Sequence, residues 1–257
     1  MRVQDNLRAL STFVVALCIT LTVGAFAPIV CADPIVIDSF AAPAAGANFF
    51  SFDAALFPSL VGDQPATIPT TDSSSILGDD RVLEVEVVGT PDWKSASGTV
   101  GSVNEVLSVA TWGDPGSKVR LDYPGLSVDD LTDGGTNDAI AFAFNFLEAG
   151  DLNVQITVTG DGGTAVFDSA TSAGDVAQSS TPFTYAAPFD EFVVDVGDPL
   201  GNADTISIVL NNPAGGPVTN VDFELSSVTA VPEPSTLAML ATLCAFILGA
   251  VWRRRHQ

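Results

Sequence analysis

Between residues 34 and 230 apolar and polar positions alternate with a period of two. Leu83, Val85 and Val87 alternate with Glu84 and Glu86, and Val119, Leu121 and Tyr123 alternate with Lys118, Arg120 and Asp122. Side chains of a strand point to opposite faces in turn, so this period predicts half-buried strands. The stretch 138–146 differs, because Ile140, Phe142, Phe144 and Phe146 fall on one face and Ala139, Ala141 and Ala143 on the other. Apolar on both sides, it is expected to be a central strand. Leu152, Val154, Ile156 and Val158 then share a face, and Gly160-Asp161-Gly162-Gly163 reads as a hairpin turn into 164–168. Three later runs repeat the scheme: Phe192, Val194 and Val196; Ile206, Ile208 and Leu210; Val221, Phe223 and Leu225. About ten short strands separated by Gly, Asp, Asn and Pro clusters predict an all-β fold, an antiparallel two-sheet jelly-roll β-sandwich over residues 33–230. Its first strand, 34–40, and its last, 220–230, are expected to lie side by side. Residues 51–80, rich in Pro, Ser, Thr and Asp, read as a long loop excursion.

Two segments break the alternation. Near the start, Arg2 and Arg8 precede an apolar run from Leu10 to Ala27, and Val30-Cys31-Ala32 offers small residues for cleavage between Ala32 and Asp33. Residues 1–32 are therefore expected to be a signal-peptide helix and the protein to be secreted. Near the end, Leu237 to Trp252 is uncharged and is followed by Arg253, Arg254 and Arg255. A helix over 237–252 would be about 24 Å long against about 30 Å of hydrocarbon. Arginines that snorkel outward can make up that shortfall, so a transmembrane helix is expected there. Cytoplasmic flanks collect arginine, which places residues 33–230 on the far side of the membrane as an ectodomain.

Charge and cysteine content narrow the field. The chain carries 31 acidic and nine basic residues, and residues 33–231 keep all but Asp5 and Glu233 of the former and only Arg81, Lys94, Lys118 and Arg120 of the latter, for a net charge of −25. No basic stripe exists to neutralise phosphates, so nucleic acid is excluded as a partner. Two cations in so acidic a domain, Arg81 and Arg120, are expected in ion pairs. Cys18 and Cys31 lie in the leader and Cys244 in the terminal apolar run, so the ectodomain has no disulfide and must rest on an ordinary core.

Catalytic chemistry is equally constrained. The one histidine, His256, lies beyond the terminal apolar run. That leaves no Ser-His-Asp triad and no His-ligated zinc in the ectodomain, and there is no Gly-x-Ser-x-Gly elbow, Walker loop or dinucleotide fingerprint. The expectation is a protein without catalysis; a carboxylate-based glycan-active enzyme is the surviving catalytic class. Two ligand chemistries remain. The stretch 129–138 gathers Asp129, Asp130, Asp133, Asn137 and Asp138 around a glycine turn, a candidate calcium loop that departs from EF-hand spacing. Trp93, in a polar loop segment, is a candidate platform for a sugar ring, whereas Trp112 ends an apolar run and is expected in the core.

The segment Val231-Pro232-Glu233-Pro234-Ser235, followed by an apolar run and the cluster Arg253-Arg254-Arg255, resembles the PEP-CTERM sorting signal over residues 231–257. The resemblance implies export through the inner membrane of a bacterium with an outer membrane, membrane anchoring until processing, and an exosortase-type enzyme as partner, often alongside exopolysaccharide production. The prolines would stop a helix and expose the processing segment. The ectodomain resembles the jelly rolls that precede such tails and, more loosely, carbohydrate-binding modules, through Ile35-Val36-Ile37-Asp38-Ser39-Phe40, Gly78-Asp79-Asp80-Arg81-Val82-Leu83 and Val221-Asp222-Phe223-Glu224-Leu225. That likeness implies a second candidate calcium set, Asp38 with Asp222 or Glu224. The functional expectation is a structural or interaction component of the cell surface or extracellular matrix; the alternative is a carbohydrate-binding adhesin that meets extracellular polysaccharide.

Overall fold

The computed structural model describes residues 34–41, 48–53, 66–70, 76–88, 95–101, 105–112, 116–126, 130–148, 151–212 and 221–232. The expected signal-peptide helix and the expected helix over 237–252 lie outside them, and no helix among the described residues is long and apolar enough to cross a membrane. Residues Ala32–Val231 form one compact unit.

Among the described residues there are fourteen strands: β1 (Ile35–Asp38), β2 (Asn48–Asp53), β3 (Ala66–Thr70), β4 (Arg81–Val88), β5 (Ser95–Gly101), β6 (Val106–Trp112), β7 (Gly116–Tyr123), β8 (Ala139–Glu148), β9 (Val154–Gly160), β10 (Gly163–Asp168), β11 (Phe183–Pro188), β12 (Val193–Val194), β13 (Thr205–Leu210) and β14 (Asp222–Val231). They build two seven-stranded antiparallel sheets. Sheet I runs β11-β8-β14-β6-β5-β2 with β1 also on β14, and sheet II runs β12-β10-β9-β13-β7-β4-β3. The chain passes repeatedly between the sheets, and only β3-β4, β5-β6 and β9-β10 are consecutive neighbours, so the architecture is a jelly-roll sandwich. First and last strands do pair, with Ile35 opposite Ala230. The expected excursion over 51–80 is partly strand: β2 ends in it, and β3 lies in it and pairs with β4.

Alternation translates directly into burial where the register is regular. Val154, Ile156 and Val158 of β9 are fully buried, as are Ile208 and Leu210 of β13 opposite. The β9-β10 hairpin turns on Asp161 (φ 48°) and Gly162 (φ 71°), both in the left-handed region that a two-residue type I′ turn requires. Gly160 and Gly163 serve another purpose. A Cβ on Gly160 would sit 1.8 Å from the carbonyl oxygen of Asn202, and one on Gly163 would sit 1.8 Å from that of Val196, so two outer segments close directly onto glycine backbone.

Regularity fails at the centre of sheet I, to the fold's advantage. β8 and β14 pair Glu224 with Phe146, then Leu225 with Phe144, then Ser227 with Ala143. Each strand thus carries one extra residue, Asn145 on β8 and Ser226 on β14. A bulge flips the facing of everything beyond it. Ile140, Phe142 and Phe144 are buried before the bulge and Leu147 after it; Phe223 and Leu225 are buried on one side and Val228 and Ala230 on the other. Ser226 Oγ donates to Ala143 O at 2.9 Å and Asn145 Nδ2 donates to Glu224 Oε1, fixing both extra residues. Phe146 is therefore not part of the Ile140–Phe144 row, as strict alternation predicted, but faces outward with half-burial.

One further run departs from expectation. Phe192 is buried, but Val193 is 75% exposed and Val196 59%. Instead of a half-buried strand, this stretch is a 3₁₀ turn over Phe189–Glu191 and the two-residue edge strand β12.

The two sheets are joined at one end by a buried polar network. Asp38 of β1 accepts from Arg81 Nη1 of β4 at 2.5 Å, from the Tyr123 hydroxyl of β7 at 3.1 Å and from the Phe40 N–H at 2.7 Å. Asp38 and Tyr123 are fully buried and Arg81 is 1% exposed. The guanidinium lies 5.5 Å from the centre of the Phe40 ring, and Phe40 itself has φ 52°, a conformation costly for so bulky a residue. Burial raises the Asp38 carboxyl above its usual range, against the downward pull of Arg81, Phe40 N–H and Tyr123. Burial also pushes the Tyr123 phenol well up, with the Asp38 charge adding to it. Arg120, half-exposed, pairs with Asp122 at 2.8 Å, so both arginines sit in ion pairs as their scarcity suggested.

Candidate functional site

The bulge that buries Leu147 turns Phe146 out on the face of sheet I away from the core. Glu224 stands opposite Phe146 on one side and opposite Ser108 on the other, so a hydroxyl, a carboxylate and an aromatic ring lie in one row across β6, β14 and β8. With strands about 4.8 Å apart the row spans about 10 Å. The hydrogen bond from Asn145 Nδ2 holds the Glu224 carboxylate next to the ring. Two residues further, Asp222 stands opposite Glu148, about 7 Å along β14 from Glu224. Around these groups the side chains are small: Ala143, Ser227 and Thr229 point the same way and are half-buried. An aromatic ring next to hydrogen-bonding oxygens on a strand surface can stack on the apolar face of a ring-shaped ligand while its hydroxyls are met by the carboxylate and amide.

The loop-based calcium candidates do not assemble. Asp129 lies outside the described residues. Asp130 spends its carboxylate on its own turn, Oδ1 accepting from Thr132 N–H at 2.9 Å and Thr132 Oγ1 at 2.6 Å and Oδ2 from Gly134 N–H at 2.7 Å. The Thr132 hydroxyl is the main reason that the Asp130 carboxyl is held below its ordinary range. Asp133 accepts from Thr136 Oγ1 at 3.0 Å, and Asn137 is buried with Nδ2 donating to Leu131 O at 3.2 Å. Asp138 is exposed, and its N–H and C=O are taken by Val231 and Phe189. The loop is a self-capped turn in which side-chain oxygens satisfy backbone donors.

The second set also fails to converge. Asp38 faces Val228, and Glu224 and Asp222 lie four and six residues away along β14, roughly 13 and 20 Å. Asp38 is in any case committed to Arg81. Among the described residues no group of three or more His, Cys, Asp or Glu side chains could hold a metal ion. Trp93 lies outside the described residues; Trp112 closes β6. Ala32, Asp33, Glu233, Pro234, Ser235, Arg253, Arg254 and Arg255 also lie outside them, whereas Val231 ends β14 and Pro232 follows it. Sequence reasoning missed Asn145 and Phe146 as surface groups, because strict alternation put Phe146 in the core. The polar Asn145 inside an apolar run was the available signal.

Beyond the last ladder residues of β14 the chain changes character, and comparison with known proteins bears on that point. Residues 230–255 match the PEP-CTERM protein-sorting motif. The motif marks an exported chain, sorted to the cell envelope or surface, and implies processing by an exosortase. It covers the tail and says nothing of the sandwich. No curated protein sequence matches the chain. Among solved structures, the sandwich is similar to the family 11 carbohydrate-binding module from Clostridium thermocellum in complex with a β-1,3-1,4-mixed-linked tetrasaccharide, at 11% identity and TM-score 0.38 over 77% of this chain and 95% of that one. It is also similar to the family 11 module of the cellulosomal cellulase Lic26A-Cel5E of the same organism, at 11% identity and TM-score 0.36 over 78% and 95%. A non-crystalline-cellulose-specific module, CBM28, aligns at 13% identity and TM-score 0.26 over 73% and 86%.

Proposed function

We propose that the sandwich is a non-catalytic surface module that binds extracellular polysaccharide through the outer face of sheet I. The observation that supports this reading is the outward-facing Phe146 ring beside a Glu224 carboxylate held by Asn145. An open strand face suits a chain ligand better than a small molecule, which would call for a concave pocket. Export and sorting to the envelope bring the module to where polysaccharide is. Asp222 and Glu224 also support a second reading, since a glycan-active enzyme needs a pair of carboxyl groups on one face and these two stand two residues apart on the same side of β14.

The test is retention of the full-length chain, in mild detergent, on the host's extracellular polysaccharide. Phe146→Ala should weaken retention about tenfold, the loss of about 1.4 kcal/mol of stacking. Glu224→Gln should weaken it further. Retention that drops with Trp93→Ala and not with Phe146→Ala would move the site off this face. No retention by the wild type would leave a structural surface protein, and release of reducing sugar that vanishes in Glu224→Gln would favour the hydrolytic reading.

A further inference from the structure

Sheet I breaks the ladder between β8 and β14 twice, and the two breaks cancel. Apart from Asn145, β8 alternates regularly: Phe142, Phe144 and Leu147 are buried, and Ala143, Phe146 and Glu148 take the other face in turn. Apart from Ser226, so does β14, with Phe223, Leu225, Val228 and Ala230 buried and Glu224, Ser227 and Thr229 opposite. The core therefore receives the same side chains on either side of the bulges as an uninterrupted ladder would give it. A bulged residue is left unpaired and bends its strand, so two of them inside a seven-stranded sheet cost pairing that the core does not recover.

What the insertions change is local. Asn145 falls directly before Phe146 and gives the face an amide that a regular ladder would lack. Among the described residues its side chain makes one hydrogen bond, from Nδ2 to Glu224 Oε1, and Glu224 is the residue that stands opposite Phe146. Ser226 lies one pair further along, where its extra residue brings the two strands back into register and its Oγ donates to Ala143 O at 2.9 Å. Insertions that the core does not use, set beside an outward aromatic ring and a held carboxylate, are a local cost of the kind that folds carry at functional sites. We propose that this double bulge is the positioning device of the binding face, with Asn145 and Ser226 as positioning residues that act through Glu224 and Phe146. The proposal rests on the reading of that face as the polysaccharide site. An architectural role competes with it, because β6 pairs with β14 up to Leu225 and β1 pairs with it from Val228, so that Ser226 also marks the change of neighbour. The two roles differ in their signature: an architectural bulge is felt in stability, a positioning bulge in binding.

The experiment measures retention of full-length variants on the host's extracellular polysaccharide, in mild detergent, beside their melting temperatures. Asn145→Ala keeps the inserted residue and removes the amide. It should weaken retention about fivefold while lowering the melting temperature by no more than about 4 °C. Ser226→Ala, which releases Ala143 O, should weaken retention about twofold to threefold. Asn145→Ala combined with Glu224→Ala should weaken it no further than Glu224→Ala alone, because the amide then has no carboxylate to hold. Wild-type retention by Asn145→Ala and Ser226→Ala, with only the melting temperature lowered, would give the bulge to the architecture and overturn the proposal even where Phe146→Ala still weakens binding. Additive losses for Asn145→Ala and Glu224→Ala would make Asn145 a direct contact and overturn it as well. Retention that ignores Phe146→Ala would remove the reading of the face itself, and the proposal with it.

Discussion

Replacing Arg81 with methionine isolates the cost of the polar network between the sheets. Methionine follows the aliphatic stem of arginine and keeps its apolar contacts, so the change removes mainly the charge and its hydrogen bond. Asp38 is left fully buried, with only the Phe40 N–H and the Tyr123 hydroxyl to satisfy it. Breaking a buried ion pair from one side costs about 3–5 kcal/mol. For a unit of this size, at about 2–4 °C per kcal/mol, the melting temperature should fall by roughly 6–20 °C near pH 7.

The pH dependence carries the sharper test. In the wild type the Asp38 carboxyl already titrates above its usual 3.8, because burial outweighs the pull of Arg81. Without Arg81 it must rise further. The folded variant then holds a proton that the unfolded chain has released, so its stability is retained below about pH 4 and lost as pH rises through the folded-state value. The deficit of Arg81→Met against the wild type should therefore be largest near neutrality and shrink on acidification. Urea unfolding of both chains at matched pH measures it, and the other carboxylates cancel in the difference. The double variant Asp38→Leu/Arg81→Met should recover most of the loss, since an apolar replacement of a whole buried pair is often neutral. A deficit under about 1 kcal/mol at neutral pH, or one that grows as pH falls, would refute the reasoning.

Three further outcomes follow from local geometry. Gly160→Ala should lower stability by about 3 kcal/mol, because its Cβ meets the Asn202 carbonyl at 1.8 Å, whereas Gly162→Ala, with open space and only φ 71° against it, should cost about 1 kcal/mol; thermal unfolding separates them. Asp130→Ala should cost about 1 kcal/mol through loss of its turn hydrogen bonds. Because the Asp130 carboxyl is held below its usual value, this contribution is present above about pH 4 and fades as pH falls through the lowered folded-state value, so wild type and variant should converge in acid. Mass mapping of the C-terminus in the native host should find a new end close to Pro232–Pro234, and an intact Arg255 on most molecules would contradict processing.

The strands were legible because a period of two fixes which side chains enter a core, and Val154, Ile156 and Val158 obey it fully. What alternation cannot show is where it breaks. The facing of β8 changes at its extra residue Asn145 and that of β14 at its own, Ser226, so the two strands stay matched on both sides, and that match is a property of two distant segments, not of either alone. The same limit explains the glycines. Gly162 is readable from the turn it occupies, whereas Gly160 and Gly163 are required by backbone from residues 202 and 196, which no local pattern announces. Candidate calcium ligands misled for a related reason: clusters of Asp and Asn mark both ion loops and self-capped turns, and only the hydrogen bonds of Asp130 distinguish them.

Fold and sorting motif overlap at the end of β14. Ala230 is fully buried and lies between Ile140 of β8 and Ile35 of β1, and the Val231 carbonyl accepts the Asp138 N–H at 2.9 Å. The next residue, Pro232, has no N–H to offer a ladder, so β14 cannot continue through it. The sorting motif begins at residue 230 and therefore shares with the sandwich only the two residues that close the last strand. Among the described residues every pairing of β14 lies at or before Val231, so a cut beyond Pro232 leaves those ladder hydrogen bonds in place. Cleavage beyond Pro232 is therefore expected to leave the melting temperature of the sandwich unchanged, which thermal unfolding of the chain before and after processing checks.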